Sequence, residues 1–126
     1  MRCTEIDRLM REFYAERRRG DLEGVLRSFS ADVRFQIAST KQGNPVAVKA
    51  NGINELRPLL ALLIKTFSVV DLTIRSITID GVQATVHWRV DVRSRITGAT
   101  VPTELIDIVE VRDGCIVNFN EIFVSH

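Results

Sequence analysis

The chain has 126 residues, of which 45% are hydrophobic and 26% are charged, and its formal net charge at pH 7 is +1. This length and composition predict one globular domain spanning residues 1–126, and they exclude a disordered chain or a second hydrophobic core. The nearly neutral net charge argues against a nucleic acid or an acidic membrane surface as a partner.

Cysteine and histidine content limits the metal and redox chemistry. Cys3 and Cys115 fit neither a disulfide framework nor a metal cluster, and two histidines do not favour a tetrahedral zinc site. We therefore expect no metal and a reducing cytoplasmic environment. The first twenty residues interleave charges with apolar positions, and no apolar run reaches membrane-spanning length, so neither a secretory signal nor a membrane partner is expected.

Two amphipathic helices are predicted at the start of the chain. In the first, over residues 4–20, Ile6, Leu9, Met10 and Phe13 recur at helical spacing, and Thr4 with Asp7 resembles a capping box. Asp21 is placed to cap a short second helix. Arg17, Arg18 and Arg19 fall in the last turn of the first helix, and we interpret them as cations that favour the helix dipole.

The middle of the chain predicts a strand, a loop and a third helix. Residues 33–38 alternate between apolar and polar, which is typical of a strand, and residues 40–52 are rich in Gly, Asn and Pro, which indicates an ordered surface loop or lid. The third helix begins near Asn54 or Glu55, because Pro58 fits only a first turn. It is apolar nearly all round, so we expect it to be buried.

The remainder of the chain predicts four strands. They cover residues 69–79, 82–96, 103–111 and 115–124, and they are separated by Asp80-Gly81, Thr97-Gly98 and Asp113-Gly114. Such turns join antiparallel neighbours. The chain is therefore predicted to be α+β, with the N-terminal helices packed on a curved sheet.

Strand parity assigns side chains to the two faces of this sheet. In the strand over 83–95, the even residues Ala84, Val86, Trp88, Val90 and Val92 are apolar, whereas His87, Arg89, Asp91 and Arg93 are polar. Taken alone, this strand favours a polar face in contact with water. In the next two strands, apolar residues occupy both faces, and Asp107 and Glu121 share parity with Leu105, Val109, Phe119 and Phe123. We expect those carboxylates in a partly dry cavity.

The apolar character of both faces also predicts a homodimer. One face covers the helices, and the other would meet a second copy through Trp88, Val90, Val92, Ile106 and Ile108.

The order of elements, with Arg19-Gly20-Asp21-Leu22 between the first helices and Arg112-Asp113-Gly114-Cys115-Ile116 at the last hairpin, resembles the nuclear transport factor 2-like or SnoaL-like domains. The resemblance covers nearly the whole chain. It implies a cone-shaped, cystatin-like α+β fold, with N-terminal helices on a strongly curved, mixed but mostly antiparallel sheet and a pocket between the two layers.

Within that superfamily, Arg89-Val90-Asp91-Val92, Thr97-Gly98, Asp113-Gly114 and the stretch over 119–123 are similar in order and spacing to limonene-1,2-epoxide hydrolases. The resemblance implies a small apolar substrate and no cofactor, with Asp91 as the acid, Arg89 as the bridging cation and Glu121 as the water-activating base. Where that family holds its water with a tyrosine and an asparagine, this chain has Phe35 and Ile37.

Similarity to ketosteroid isomerases instead places an acidic group at Asp107, with that family's tyrosine and base falling on Phe13 and Ile37. In either case the expected pocket residues are Phe35, Ile37, His87, Leu105, Val109, Phe119 and Phe123. Two further interpretations stay open. The chain could bind a ligand without chemistry, or it could be a dimeric interaction module that works through the outer surface of its sheet.

Overall fold

A computed structural model describes residues 2–41 and 44–124, and the side chains of these residues other than 39–47. The elements follow in the order α1 (Cys3–Arg19), α2 (Leu22–Leu26), β1 (Phe29–Lys41), β2 (Asn44–Asn51), α3 (Ile53–Thr66), β3 (Phe67–Asp80), β4 (Gln83–Ser94), β5 (Thr100–Arg112) and β6 (Cys115–Phe123). No helix among these elements is both long enough and apolar enough to cross a bilayer.

The six strands form one curved sheet in the order β2-β1-β6-β5-β4-β3. β1 runs parallel to β6, and every other neighbouring pair is antiparallel. The consecutive strands β3 to β6 are joined by short turns, which gives the predicted meander. The α+β fold with a mixed, mostly antiparallel sheet is therefore confirmed.

The two N-terminal helices begin differently. α1 follows Arg2 without any side-chain cap, so the predicted capping box is wrong. Asp7 instead accepts a hydrogen bond from Arg11 Nε at 2.9 Å, one turn further along the helix. α2 is capped as expected, because the side chain of Asp21 accepts a hydrogen bond from the backbone N–H of Gly24 at 3.1 Å.

The segment predicted to be a loop contains a strand. β2 pairs antiparallel with β1 from Arg34 opposite Asn51 to Lys41 opposite Asn44. Pro45 lies in this strand, and an edge strand tolerates a proline because one row of its backbone groups needs no partner. Gln42 and Gly43 of the same predicted loop lie outside the described residues.

The third helix is less buried than its composition suggests. α3 begins at Ile53, and Leu56 and Leu60 are its only buried residues. Leu62 on another face is 59% exposed. The prediction of a helix buried all round is therefore wrong, because the sheet lies on one side of α3 only.

A cluster of aromatic rings fills the space between α1 and the middle of the sheet. Phe13 of α1 packs edge-on against Phe29 with ring centroids 5.4 Å apart, and it lies at the same distance from Phe119. Phe35 of β1 stacks on Phe119 of β6 at 5.2 Å with an angle of 6° between the rings. Phe119 is fully buried. These rings pack against one another as a filled core.

The face assignment behind the homodimer prediction is wrong. Trp88 is opposite Leu105 in the β4–β5 register, and His87 is opposite Ile106, so Trp88 and Ile106 point to opposite faces of the sheet. Trp88 and Val90 are buried beneath the helices. The homodimer itself stays a prediction. Ile106 and Ile108 are on the outer face, where its interface would lie, whereas Trp88 is on the inner face.

The packing of Phe119 predicts a large cost for its removal. Phe119→Ala should lower the free energy of unfolding by about 3 to 5 kcal/mol, because it leaves a cavity among rings that have little room to collapse. Phe123→Ala is the control, since this ring lies on the same strand and face but is 40% exposed, and it should cost less than about 1 kcal/mol. Urea unfolding measures both, and equal losses would contradict the filled core.

Candidate functional site

A cavity of about 370 Å³ lies between the helices and the inner face of the sheet. Most of its described lining is apolar, with Leu60, Leu63 and Ile64 of α3 on one side and Val69, Leu72, Trp88, Val90 and Val92 of the sheet on the other. Phe67 and Phe123, also lining residues, are 41% and 40% exposed and mark the side that opens to solvent. This volume suits a small molecule.

Two carboxyl groups lie side by side beneath α1. Asp107 of β5 and Glu121 of β6 are directly opposite each other in the strand register, and both point to the inner face. Such cross-strand neighbours have Cβ atoms about 5 Å apart. Asp107 is fully buried and Glu121 is 3% exposed. Burying two like charges this close together is costly unless they are paired or share a proton.

One turn of α1 supplies a partner for each carboxyl. The hydroxyl of Tyr14 donates a hydrogen bond to Oδ2 of Asp107. Arg17 donates to Glu121, with Nη1 at 2.6 Å from Oε2 and Nη2 at 3.4 Å from Oε1. Residues three apart in a helix share a face, so this spacing lets α1 reach two neighbouring strands at once.

Aromatic rings hold the Arg17 guanidinium in place. Its central carbon lies 4.8 Å from the ring centroid of Trp88 and 5.8 Å from that of Phe13. Burial alone would lower the pKa of Arg17, but the charge of Glu121 and the hydrogen bond to it outweigh that effect and raise it. Arg17 is therefore a permanent cation at this end of the cavity.

The same surroundings favour a proton on Asp107. Burial, followed by the negative charge of Glu121, holds the pKa of the Asp107 carboxyl well above its usual range, although Arg17 acts in the opposite direction. Burial and the nearby Asp107 also raise the pKa of Tyr14. Arg17 forms an ion pair with Glu121 and not with Asp107, so the arrangement favours a proton on Asp107.

This arrangement separates a proton donor from a charged acceptor. Glu121 and Arg17 line the cavity, while Asp107 and Tyr14 lie behind them. Oδ2 of Asp107 accepts the Tyr14 hydroxyl, and a proton on Asp107 is stabilised by a hydrogen bond between this carboxyl and Glu121. The site can therefore accept a proton at Glu121 and holds a second exchangeable proton directly behind it.

The predicted constellation of Arg89, Asp91 and Glu121 is wrong. Trp88, Val90 and Val92 line the cavity, so the residues between them point to the outer face. Arg89 is exposed, and its register partner on β5 is Glu104. The apolar even residues of β4 meet the helices because they remove more apolar surface from water there than the charged residues could.

The predicted pocket residues divide between three places. Ile37, Leu105 and Phe123 line the cavity with Glu121, whereas Phe35, Val109 and Phe119 are packed in the core beside it. His87 is on the outer face, where its Nε2 lies 3.4 Å from Glu104 Oε2. In the described part of the chain, no three His, Cys, Asp or Glu side chains are grouped to bind a metal ion.

Sequence reasoning missed Tyr14 and Arg17. Similarity to ketosteroid isomerases pointed to Phe13 for a tyrosine, and the hydroxyl is found on the next residue. Arg17 was interpreted through the helix dipole alone. Its signal is the spacing of the buried face of α1, on which Ile6, Met10 and Phe13 recur every three or four residues and Arg17 takes the next position.

The raised pKa of Asp107 predicts a pH-dependent stability. The folded state keeps a proton that the unfolded chain releases above about pH 4, so this residue makes the free energy of unfolding fall as pH rises from there to its raised pKa. Asp107→Asn removes this decline, because an amide is uncharged and has no proton to lose beside Glu121 as pH rises. Urea unfolding between about pH 4 and pH 8 should show that the free energy of unfolding of the variant increases relative to that of the parent as pH rises.

Asp91→Asn is the matched control, since it makes the same chemical change on the outer face of the sheet. It should show no comparable gain over this range. A constant difference between Asp107→Asn and the parent at every pH would contradict a proton on Asp107.

Comparison with solved structures places this fold among known ones. A Bacillus subtilis protein proposed to be an isomerase is 16% identical, with 96% of this chain and 87% of that chain covered and a TM-score of 0.83. An epoxide hydrolase of M. tuberculosis resembling limonene-epoxide hydrolase is 18% identical, with coverage of 96% and 84% and a TM-score of 0.77.

A Catenulispora acidiphila protein with a ketosteroid isomerase-like fold, solved with trimethylamine, is 12% identical, with coverage of 90% and 82% and a TM-score of 0.73. At such identities these likenesses show the fold alone. Curated protein sequences gave no match. The family model of the SnoaL-like domain matches residues 10–119, so the chain belongs to the SnoaL-like domain family, within the nuclear transport factor 2-like superfamily.

Proposed function

We propose that this protein is a cofactor-independent acid–base enzyme, an isomerase or a hydrolase, that acts on a small and largely apolar molecule carrying an oxygen function. The observation that supports this proposal is the buried pair of Asp107 and Glu121 with the Arg17 cation at one end of an apolar cavity. Titratable groups shifted by burial and by a specific charge partner, beside a cavity, are typical of catalytic sites.

Stability alone does not explain a buried pair of this kind. Well-packed apolar residues in place of a buried ion pair are often as stable or more stable, because removing charges from water costs more than their attraction returns. A costly arrangement that faces a cavity supports a chemical role.

Isomerisation by proton transfer suits the geometry best. Glu121 would take a proton from a carbon beside the substrate carbonyl and return it to another carbon. The same residue would therefore act first as the base and then as the acid. Negative charge develops on the carbonyl oxygen in between, and the Arg17 guanidinium is in place to stabilise it. Asp107 and Tyr14 would hold Glu121 in a single orientation.

Hydrolysis of an epoxide makes a further demand on the site. Glu121 would take a proton from water while an acid delivers another to the epoxide oxygen, so two proton-transfer groups must reach the ligand. Asp107 lies behind Glu121 and is not part of the described lining. Ile37, which lies beside Glu121 in the strand register, cannot hydrogen-bond a water. These features favour isomerisation over hydrolysis.

Ligand binding without chemistry is the second candidate. Both carboxylate oxygens of Glu121 already accept hydrogen bonds from Arg17. A base held in this way could serve only to anchor a polar group of the ligand, in which case the cavity would bind the same molecules and leave them unchanged.

Hydrogen–deuterium exchange tests the proposed chemistry without knowledge of the substrate. Small cyclic ketones are incubated with the protein in D₂O, and loss of the protons beside the carbonyl is followed by NMR. We expect exchange above the buffer rate for ketones that fit the cavity. Glu121→Gln should lower it by about a hundredfold or more, because an amide cannot accept the proton.

Asp91→Asn is the control and should exchange at the parent rate, since Asp91 is on the outer face. A set of small apolar epoxides is assayed in parallel. Epoxide turnover without ketone exchange would contradict isomerisation and support hydrolysis. Binding of both sets of compounds, with neither exchange nor turnover, would contradict the enzyme proposal and support ligand binding without chemistry.

A further inference from the structure

We infer that the ligand of this cavity is an amphipathic carboxylate, whose apolar body fills the cavity and whose carboxylate is held at the opening by Arg18 and Arg95. The inference rests on the proposed function only in taking the same cavity as the ligand site. It adds the chemical class of the ligand and the direction in which it enters.

The charge of the lining carries the argument. The described lining holds four arginines, Arg17, Arg18, Arg19 and Arg95, and one acidic residue, Glu121, which gives a net charge of +3. The whole chain has a net charge of only +1. Positive charge is therefore concentrated at this cavity, and a cleft with apolar walls strengthens the field it creates.

Two of these arginines have carboxylate partners and two do not. Arg17 pairs with Glu121, and Arg19 pairs with Glu16 on the adjacent turn of α1. No carboxylate of the described residues lies within ion-pair distance of Arg18 or Arg95, and both residues are exposed. Their guanidinium groups are available to an anion from solution.

The helix dipole does not account for this pattern. It explains a basic last turn in α1, where Arg18 lies. Arg95 belongs to a different element, the turn that follows β4, and its backbone N–H is fixed by a hydrogen bond to the carbonyl of Thr66 at 2.8 Å. Two elements distant in sequence thus each contribute an exposed cation to the lining of the same cavity.

The depth of each group gives the ligand an orientation. The apolar residues Trp88, Val90 and Leu105 are buried, whereas Arg18 and Arg95 are exposed. A carboxylate at the opening keeps part of its hydration, so its desolvation costs far less free energy than that of a carboxylate buried beside Glu121. The end of the ligand remote from the carboxylate would then reach Glu121. A volume of about 370 Å³ suits a body of about ten to fifteen non-hydrogen atoms.

Binding of matched acid and alcohol probes tests the inference. Trp88 is the single tryptophan of the chain and lines the cavity, so its fluorescence reports occupancy. The probes are decanoate with decanol, and cyclohexylbutyrate with cyclohexylbutanol, each below its micelle concentration. We expect each carboxylate to bind at least about tenfold more tightly than its alcohol, and added salt to reduce this preference.

The double variant Arg18→Gln with Arg95→Gln should abolish the preference and leave alcohol binding unchanged. The control is Arg8→Gln with Arg75→Gln, which removes the same charge from exposed positions outside the lining and should keep the preference. Equal affinities for acid and alcohol, or no binding of any probe, would overturn the inference. An equal loss of the preference for the acid in both double variants would also overturn it. Ketone exchange at Glu121 is measured separately, so the two proposals fail independently.

Discussion

Two carboxyl groups in neighbouring strands, closed off from water by a helix, set the main constraint on this structure. Burial and the negative charge of Glu121 both disfavour a second charge on Asp107, and Arg17 forms its ion pair with Glu121. In this account Arg17 balances one charge and a proton on Asp107 removes the other. Burial and Glu121 raise the pKa of Asp107, while the Tyr14 hydroxyl bonds to Asp107 and the Trp88 ring packs against the guanidinium of Arg17.

This requirement fixes how α1 lies on the sheet. Phe13 packs into the aromatic core, and the same stretch of helix brings Tyr14 to β5 and Arg17 to β6. A shift of α1 by one residue would separate both polar partners from their carboxyls. The filled core on one side and the open cavity on the other are therefore coupled through one stretch of α1, and the site depends on the packing of Phe13, which lies outside the described cavity lining.

The sequence predicted the helices, the meander and the family, because periodicity, turn residues and motif order are local signals. It misplaced Arg89 and Asp91, since parity says which residues share a face but not which face meets the helices. The apolar even-numbered residues of β4 did indicate which face packs against the helices. Arg17 was missed because an arginine at a core position of a helix makes sense only once the buried carboxyl opposite it is known.

The protonation of Asp107 is the central claim, and carbon-13 NMR of its side-chain carboxyl tests it most directly. The signal is assigned by its loss in Asp107→Asn and followed through a pH titration of the folded protein. At pH 7 the account predicts the chemical shift of a protonated acid, with ionisation only at higher pH. A carboxylate shift at pH 7, with a midpoint near the ordinary aspartate pKa of about 4, would contradict it.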